Sequence, residues 1–248
     1  MRFFRTLHFL SIDVVLGAVS LHMMIFHALL HVWPRWEYDA LLGISVYLIY
    51  GMDRQIDNLS ADVSDELHVF HAKYRRVLIS LMLALVCVNI VLLYRIEMEL
   101  VRFGIALLFL LGGYWAAWVK GIFTSCWGSK EIFTAAIYSM GVLLPSTFNA
   151  DFPFDLGIVL FLLALLNLWL FTWIATGGKP IYIQALIGLS LLGIILLAYC
   201  VDNLFVNSLL LFIWGIHVCI YYFRPRMSMR PWAEWSFVSP LIYILCNL

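Results

Sequence analysis

Apolar residues run along this chain in blocks of 15 to 26, separated by short polar stretches, across residues 6–31, 36–57, 76–95, 100–119, 131–148, 154–175, 181–201, 204–223 and 234–248. About 20 helical residues cross about 30 Å of hydrocarbon, so blocks of this length predict membrane-spanning helices rather than core fragments of a soluble domain. The last block is the shortest. At about 1.5 Å per residue it reaches about 22 Å, enough to cross a thinned bilayer or to lie partly in the interface. The pattern predicts a single all-α integral membrane domain over residues 1–248, a bundle of nine transmembrane helices.

Lysine and arginine alternate with these blocks. If the amino terminus is cytoplasmic, twelve of the 15 fall inside: Arg2, Arg5, Arg54, Lys73, Arg75, Arg76, Lys120, Lys130, Lys179, Arg224, Arg226 and Arg230. Arg35, Arg95 and Arg102 remain outside. This asymmetry is the one positive charges impose on polytopic proteins. It predicts a carboxyl terminus on the opposite side. The longest polar stretch, Asp53 to Arg76, is then an inner loop.

Composition agrees, with 64% hydrophobic and 12% charged residues against roughly half and a quarter in a soluble globule. The basic residues form short separate clusters, which excludes a nucleic-acid-binding face; the surrounding partner is membrane lipid. The five cysteines show no metal-ligand spacing and read as small apolar packing residues. The opening apolar stretch continues to Leu30, too long for a cleavable signal.

Candidate chemistry concentrates at the inner end of the second block, Tyr50-Gly51-Met52-Asp53-Arg54-Gln55-Ile56-Asp57-Asn58. Asp53 and Asp57 are four apart, so a helix projects both from one face, about one turn apart. Such a pair is able to share Mg²⁺, which takes oxygen ligands and often reaches them through phosphate. On spacing alone the pair reads first as solvated helix-end charges pairing with Arg54, Lys73, Arg75 and Arg76. Asp13, inside the first block, is either a cavity-lining group or a hydrogen-bonded packing residue. His27 and His31 are spaced as a helical metal or haem pair, but sit beside Trp33 and Trp36 as interfacial residues do. His68 and His71 lie in the inner loop, and Glu234 reads as a helix-start charge.

The chain resembles the UbiA-type intramembrane prenyltransferase superfamily. Asp53 and Asp57 fall on the last two aspartates of that family's NDxxDxxxD motif, with Ile49 and Tyr50 at its leading Asn and Asp. Ser129-Lys130-Glu131-Ile132-Phe133-Thr134 with Gly141 is similar to its Lys-containing fifth helix, and Arg230 through Glu234 to Pro240 to its last helix entry. The resemblance implies nine helices and a cytoplasmic site. There Asp53 and Asp57 hold Mg²⁺, and Arg54, Lys130, Asn167 and Lys179 meet a polyprenyl diphosphate whose prenyl group passes to a lipophilic acceptor. The family's second aspartate-rich motif has no counterpart, because Asn167 to Lys179 contains no carboxylate. That departure opens an alternative, a catalytically degenerate homologue acting as a lipid-binding or assembly subunit. A transporter has less support, since no inverted repeat is visible.

Overall fold

The computed structural model describes residues 2–60, 66–119, 129–147, 154–176, 180–200, 203–223 and 229–248. No strand occurs among them, and nearly all are helical: α1 (Arg2–Phe9), α2 (Ile12–Leu30), α3 (Trp36–Ser60), α4 (Glu66–Lys73), α5 (Arg75–Leu93), α6 (Met98–Val119), α7 (Ser129–Thr147), α8 (Phe154–Thr176), α9 (Pro180–Cys200), α10 (Leu204–Phe223), α11 (Arg230–Ser236) and α12 (Pro240–Asn247). Six of these, α2, α5, α6, α8, α9 and α10, are long and apolar enough to cross a membrane. The protein is therefore a helical bundle of the multi-pass membrane type. α3 and α7, at 25 and 19 residues, are long enough but more polar.

The first predicted block is two helices, not one. Ser11 adopts a left-handed conformation, φ 56°, which a side chain other than glycine rarely takes and which ends one helix and starts another. α1 before it is short and strongly amphipathic, as suits an interfacial helix. It packs on α4, where the Phe9 and Phe70 rings lie 5.5 Å apart and the His71 Nε2–H donates to the Phe9 carbonyl at 2.9 Å.

The final block is also broken. Hydrogen bonds from Phe237, Val238 and Ser239 to Glu234, Trp235 and Ser236 are of the tighter i→i+3 type. Pro240 then opens α12 in the first turn, where its missing N–H is not needed. A broken helix is tolerated in an apolar bundle only where neighbours satisfy its carbonyls. Ser20 does so, its hydroxyl donating to the Phe237 carbonyl at 3.3 Å. Gly17 makes the approach possible, because a Cβ there would stand 3.0 Å from the Phe237 Cβ.

The core lies among α2, α7, α8, α10 and the broken α11–α12 segment. Ala18, Leu21, Leu163, Leu210 and Ile213 are completely buried in it. α5 and α6 stand apart, apolar but only 11% and 22% buried, α5 on α3 and α6 on α7. Cys87, Cys219 and Cys246 are exposed, so they face outward rather than filling the core as the sequence suggested; Cys126 and the side chain of Cys200 lie outside the described residues.

Candidate functional site

The polar groups gather at the two ends of the bundle, and the denser group is at the end carrying α1. Asp53, near the close of α3, meets Lys130 at the start of α7, with Oδ1 and Nζ 3.1 Å apart and both side chains about a quarter exposed. At the next residue of α7, Glu131 faces α8 and accepts from the Thr172 hydroxyl at 2.7 Å. Asp53, Arg54, Arg230 and Glu234 all lie within electrostatic reach of Tyr50, one turn deeper on α3.

A second cluster sits directly beneath. His8 Nδ1 lies 2.8 Å from Asp13 Oδ2 and 2.9 Å from Glu234 Oε2. Arg230 Nε donates to the other Glu234 oxygen at 2.8 Å, and the Val14 N–H donates to the other Asp13 oxygen at 3.0 Å. Asp13 is fully buried and Glu234 nearly so. The guanidinium of Arg230 also rests 5.9 Å from the Phe171 ring. Counting His8 as charged, two anions face two cations, the arrangement that makes buried carboxylates tolerable. Burial disfavours charge on His8, but the hydrogen bonds and charges of Asp13 and Glu234 outweigh it and raise its pKa to about 9.

The geometry explains why this cluster is hard to read from the chain. Residues five apart on one helix point about 140° away from each other, at about 100° per residue. Only the left-handed turn at Ser11 brings His8 back onto Asp13, and only the broken ninth block brings Glu234 to both. Asp13 is thus an ion-paired residue. Glu234, read as a helix-start charge, is a buried member of the same cluster.

Between Glu234 and α8 lies a cavity of about 30 Å³ lined by Val14, Tyr50, Tyr138, Asn167 and Phe237 among others. At about 10–15 Å³ per water centre it has room for about two waters. Asn167 is not at the mouth of the bundle. Its amide meets His217 Nε2 at 3.2 Å, while His217 Nδ1–H donates to the Ile213 carbonyl at 2.8 Å. The atom set at that distance is Asn167 Oδ1; a neutral imidazole carrying the Nδ1 hydrogen has an accepting Nε2, which pairs with this amide only once its NH₂ is turned to face the ring.

Of the residues singled out in the sequence, the fold brings Lys130 onto Asp53, sets Asp53 and Arg54 near Tyr50, and places Asn167 on the cavity wall. Asp57 lies on α3, but its side chain is outside the described residues, as is the whole of Lys179. His27 and His31 do not form a facing pair. His27 stacks on Trp33 with ring centres 4.2 Å apart and hydrogen-bonds the Tyr243 hydroxyl at 2.9 Å. His31 is exposed and left-handed, φ 55°, its N–H closing α2 on the His27 carbonyl. His71 reaches α1, at the Phe9 carbonyl. The sequence reading missed His8, Tyr138 and His217; no spacing signal marks them, since their partners lie on other helices.

Searches against protein-family models, curated proteins and solved structures return no match for this chain. Its function therefore has to be argued from the site itself.

Proposed function

We propose that the chain is an intramembrane prenyltransferase-like protein of the UbiA type, which binds a polyprenyl diphosphate where α3, α7 and α11 converge. Its amino terminus and this site would lie on the cytoplasmic side, following the lysine and arginine asymmetry, and its spans would number nine, α3, α7 and the broken α11–α12 segment included. The observation that carries the reading is the Asp53–Lys130 contact. It joins two helices far apart in sequence, with Arg54 next to Asp53 and Arg230 within electrostatic reach of Tyr50 one turn deeper, at the polar end of an otherwise apolar bundle. A ligand with an anionic head and an apolar tail suits that arrangement. Arg54 and Lys130, joined by Lys179 from the segment before α9, would bind phosphate oxygens. The diphosphate would draw Lys130 away from Asp53 and leave the carboxylate, with Asp57, for Mg²⁺. The ion bound there would neutralise charge on the departing diphosphate. The prenyl group would pass to a lipophilic acceptor in the water-poor interior.

A second reading has specific support. Asn167 is engaged by His217 inside the bundle, the turns after it carry no carboxylate, and the cavity between α8 and Glu234 is small, about 30 Å³. These features suit a catalytically degenerate relative that keeps a lipid-binding or assembly role. The two readings part on Mg²⁺. Thermal stability of the purified protein is measured with geranylgeranyl diphosphate, with and without Mg²⁺, since a ligand that binds the folded state raises its stability. The prenyltransferase reading expects a Mg²⁺-dependent rise that Asp53→Asn and Asp57→Asn abolish. Stabilisation indifferent to Mg²⁺ favours the scaffold reading, and no stabilisation by the diphosphate removes the prenyl-diphosphate reading altogether.

A further inference from the structure

We propose that His8, Asp13 and Glu234 form a binding site for a divalent transition metal such as Zn²⁺, separate from the Asp53–Asp57 region. Among the described residues, these three are the one group whose histidine and carboxylate ligand atoms all lie within 4.8 Å of one another. They come from three different elements, α1, α2 and α11, so the fold rather than local spacing assembles them. One imidazole nitrogen with two carboxylate oxygens is a donor set that suits Zn²⁺, Mn²⁺ or Fe²⁺ better than the all-oxygen set preferred by Mg²⁺.

The surroundings fit as well. Metal-binding carboxylates are usually held by hydrogen bonds to their outer oxygens, which aim the inner ones. Here Arg230 Nε holds Glu234 Oε1 at 2.8 Å and the Val14 N–H holds Asp13 Oδ1 at 3.0 Å. The two remaining oxygens, Oε2 and Oδ2, stand 2.9 and 2.8 Å from the same ring nitrogen. A ring nitrogen carries at most one hydrogen, lying in the ring plane, and cannot direct it well at both oxygens. A cation at the point the three atoms share serves all of them. Its two charges balance the two carboxylates, with Arg230 outside the ligand set. The cavity lined by Glu234 has room for about two waters, a source for the ligand that would complete the coordination. Tyr50 and Tyr138 line that same space.

The test uses the full-length, tag-free protein in detergent, stripped with a chelator and given Zn²⁺ alone, without any prenyl diphosphate. Equilibrium dialysis with metal analysis reads the stoichiometry and affinity. The expected result is one Zn²⁺ per chain, with affinity at least about tenfold lower in His8→Ala and in Asp13→Asn. Asp53→Asn, Asp57→Asn and His27→Ala should bind as wild type does. No stoichiometric Zn²⁺, or equal retention in His8→Ala, overturns the site and leaves the cluster as a pairing of protonated His8 with its carboxylates. Should the His8 and Asp13 variants fail to fold, Co²⁺ bound to wild type decides. Intense four- or five-coordinate visible bands support the site, and the weak spectrum of six-coordinate hydrated Co²⁺ contradicts it. Because no diphosphate is present, neither outcome depends on the prenyltransferase reading.

Discussion

Both ends of the bundle bring arginine, carboxylates and a tyrosine together, yet they do opposite things with them. At the end carrying Arg35, its guanidinium reaches Glu97 at 3.1 Å and the Arg95 carbonyl at 2.8 Å, while the Tyr38 hydroxyl donates to Glu97 at 2.6 Å. Arg35 and Glu97 are about half exposed, 48% and 54%. At the α1 end, Arg230, Glu234, Asp13 and His8 are between 0% and 20% exposed. Water and salt screen the first group, so its pairing adds little. The second group has lost its water, and each member depends on the others. The same residue types therefore tie two loops together at one end and build a constrained polar site at the other.

The comparison breaks first at Glu234. Glu234→Ala leaves Arg230 and His8 buried without their carboxylate, and removing one partner of a buried pair costs about 3–5 kcal/mol. Reversible unfolding in detergent should register that loss, whereas Arg35→Ala should leave the midpoint where it was. Equal effects at both ends would mean that burial does not distinguish them.

A smaller effect follows from pH. The pKa of His8 is raised from 6.5 to about 9, so its stabilisation is complete below about 6.5 and fades as pH rises through 9. The full shift corresponds to about 3 kcal/mol at about 1.36 kcal/mol per unit. Metal-stripped wild type should lose stability between those values, and His8→Gln should show a flat profile over the same window. A wild-type profile that is already flat would contradict the pairing.

The smallest effect belongs to the Arg35 end. His31 holds a left-handed backbone with its side chain exposed, a conformation glycine takes without strain. His31→Gly should raise stability by up to about 1 kcal/mol, seen as a higher unfolding midpoint. A fall would show that the His31 side chain contributes more than its backbone strains.

What could be read from the chain divides along the same line. Long apolar blocks announce spanning helices because hydrocarbon demands continuous apolar length, and α5, α8, α9 and α10 are plain for that reason. The breaks at Ser11 and at Phe237–Ser239 were not legible. They depend on a left-handed serine and on Gly17 and Ser20 receiving a neighbouring backbone, which are tertiary facts. Asp53 and Lys130 were readable as candidates because even-numbered spans end, and odd-numbered spans begin, on the same face. Asn167 was readable as a candidate on the inner half of its span, but its partner His217 was not, since counting along a helix says nothing of which neighbour meets its amide. His8 carried no signal, because i, i+5 is not a helical contact.

The central claim is that the α1 end is the working end. Its most direct test is calorimetric titration of geranylgeranyl diphosphate with Mg²⁺ into wild type, Lys130→Ala and Glu97→Ala. The account predicts saturable binding to wild type, at least about tenfold weaker binding to Lys130→Ala, as loss of a charge-assisted phosphate contact implies, and no change in Glu97→Ala. Absence of saturable binding to wild type, or binding undiminished in Lys130→Ala, would contradict it.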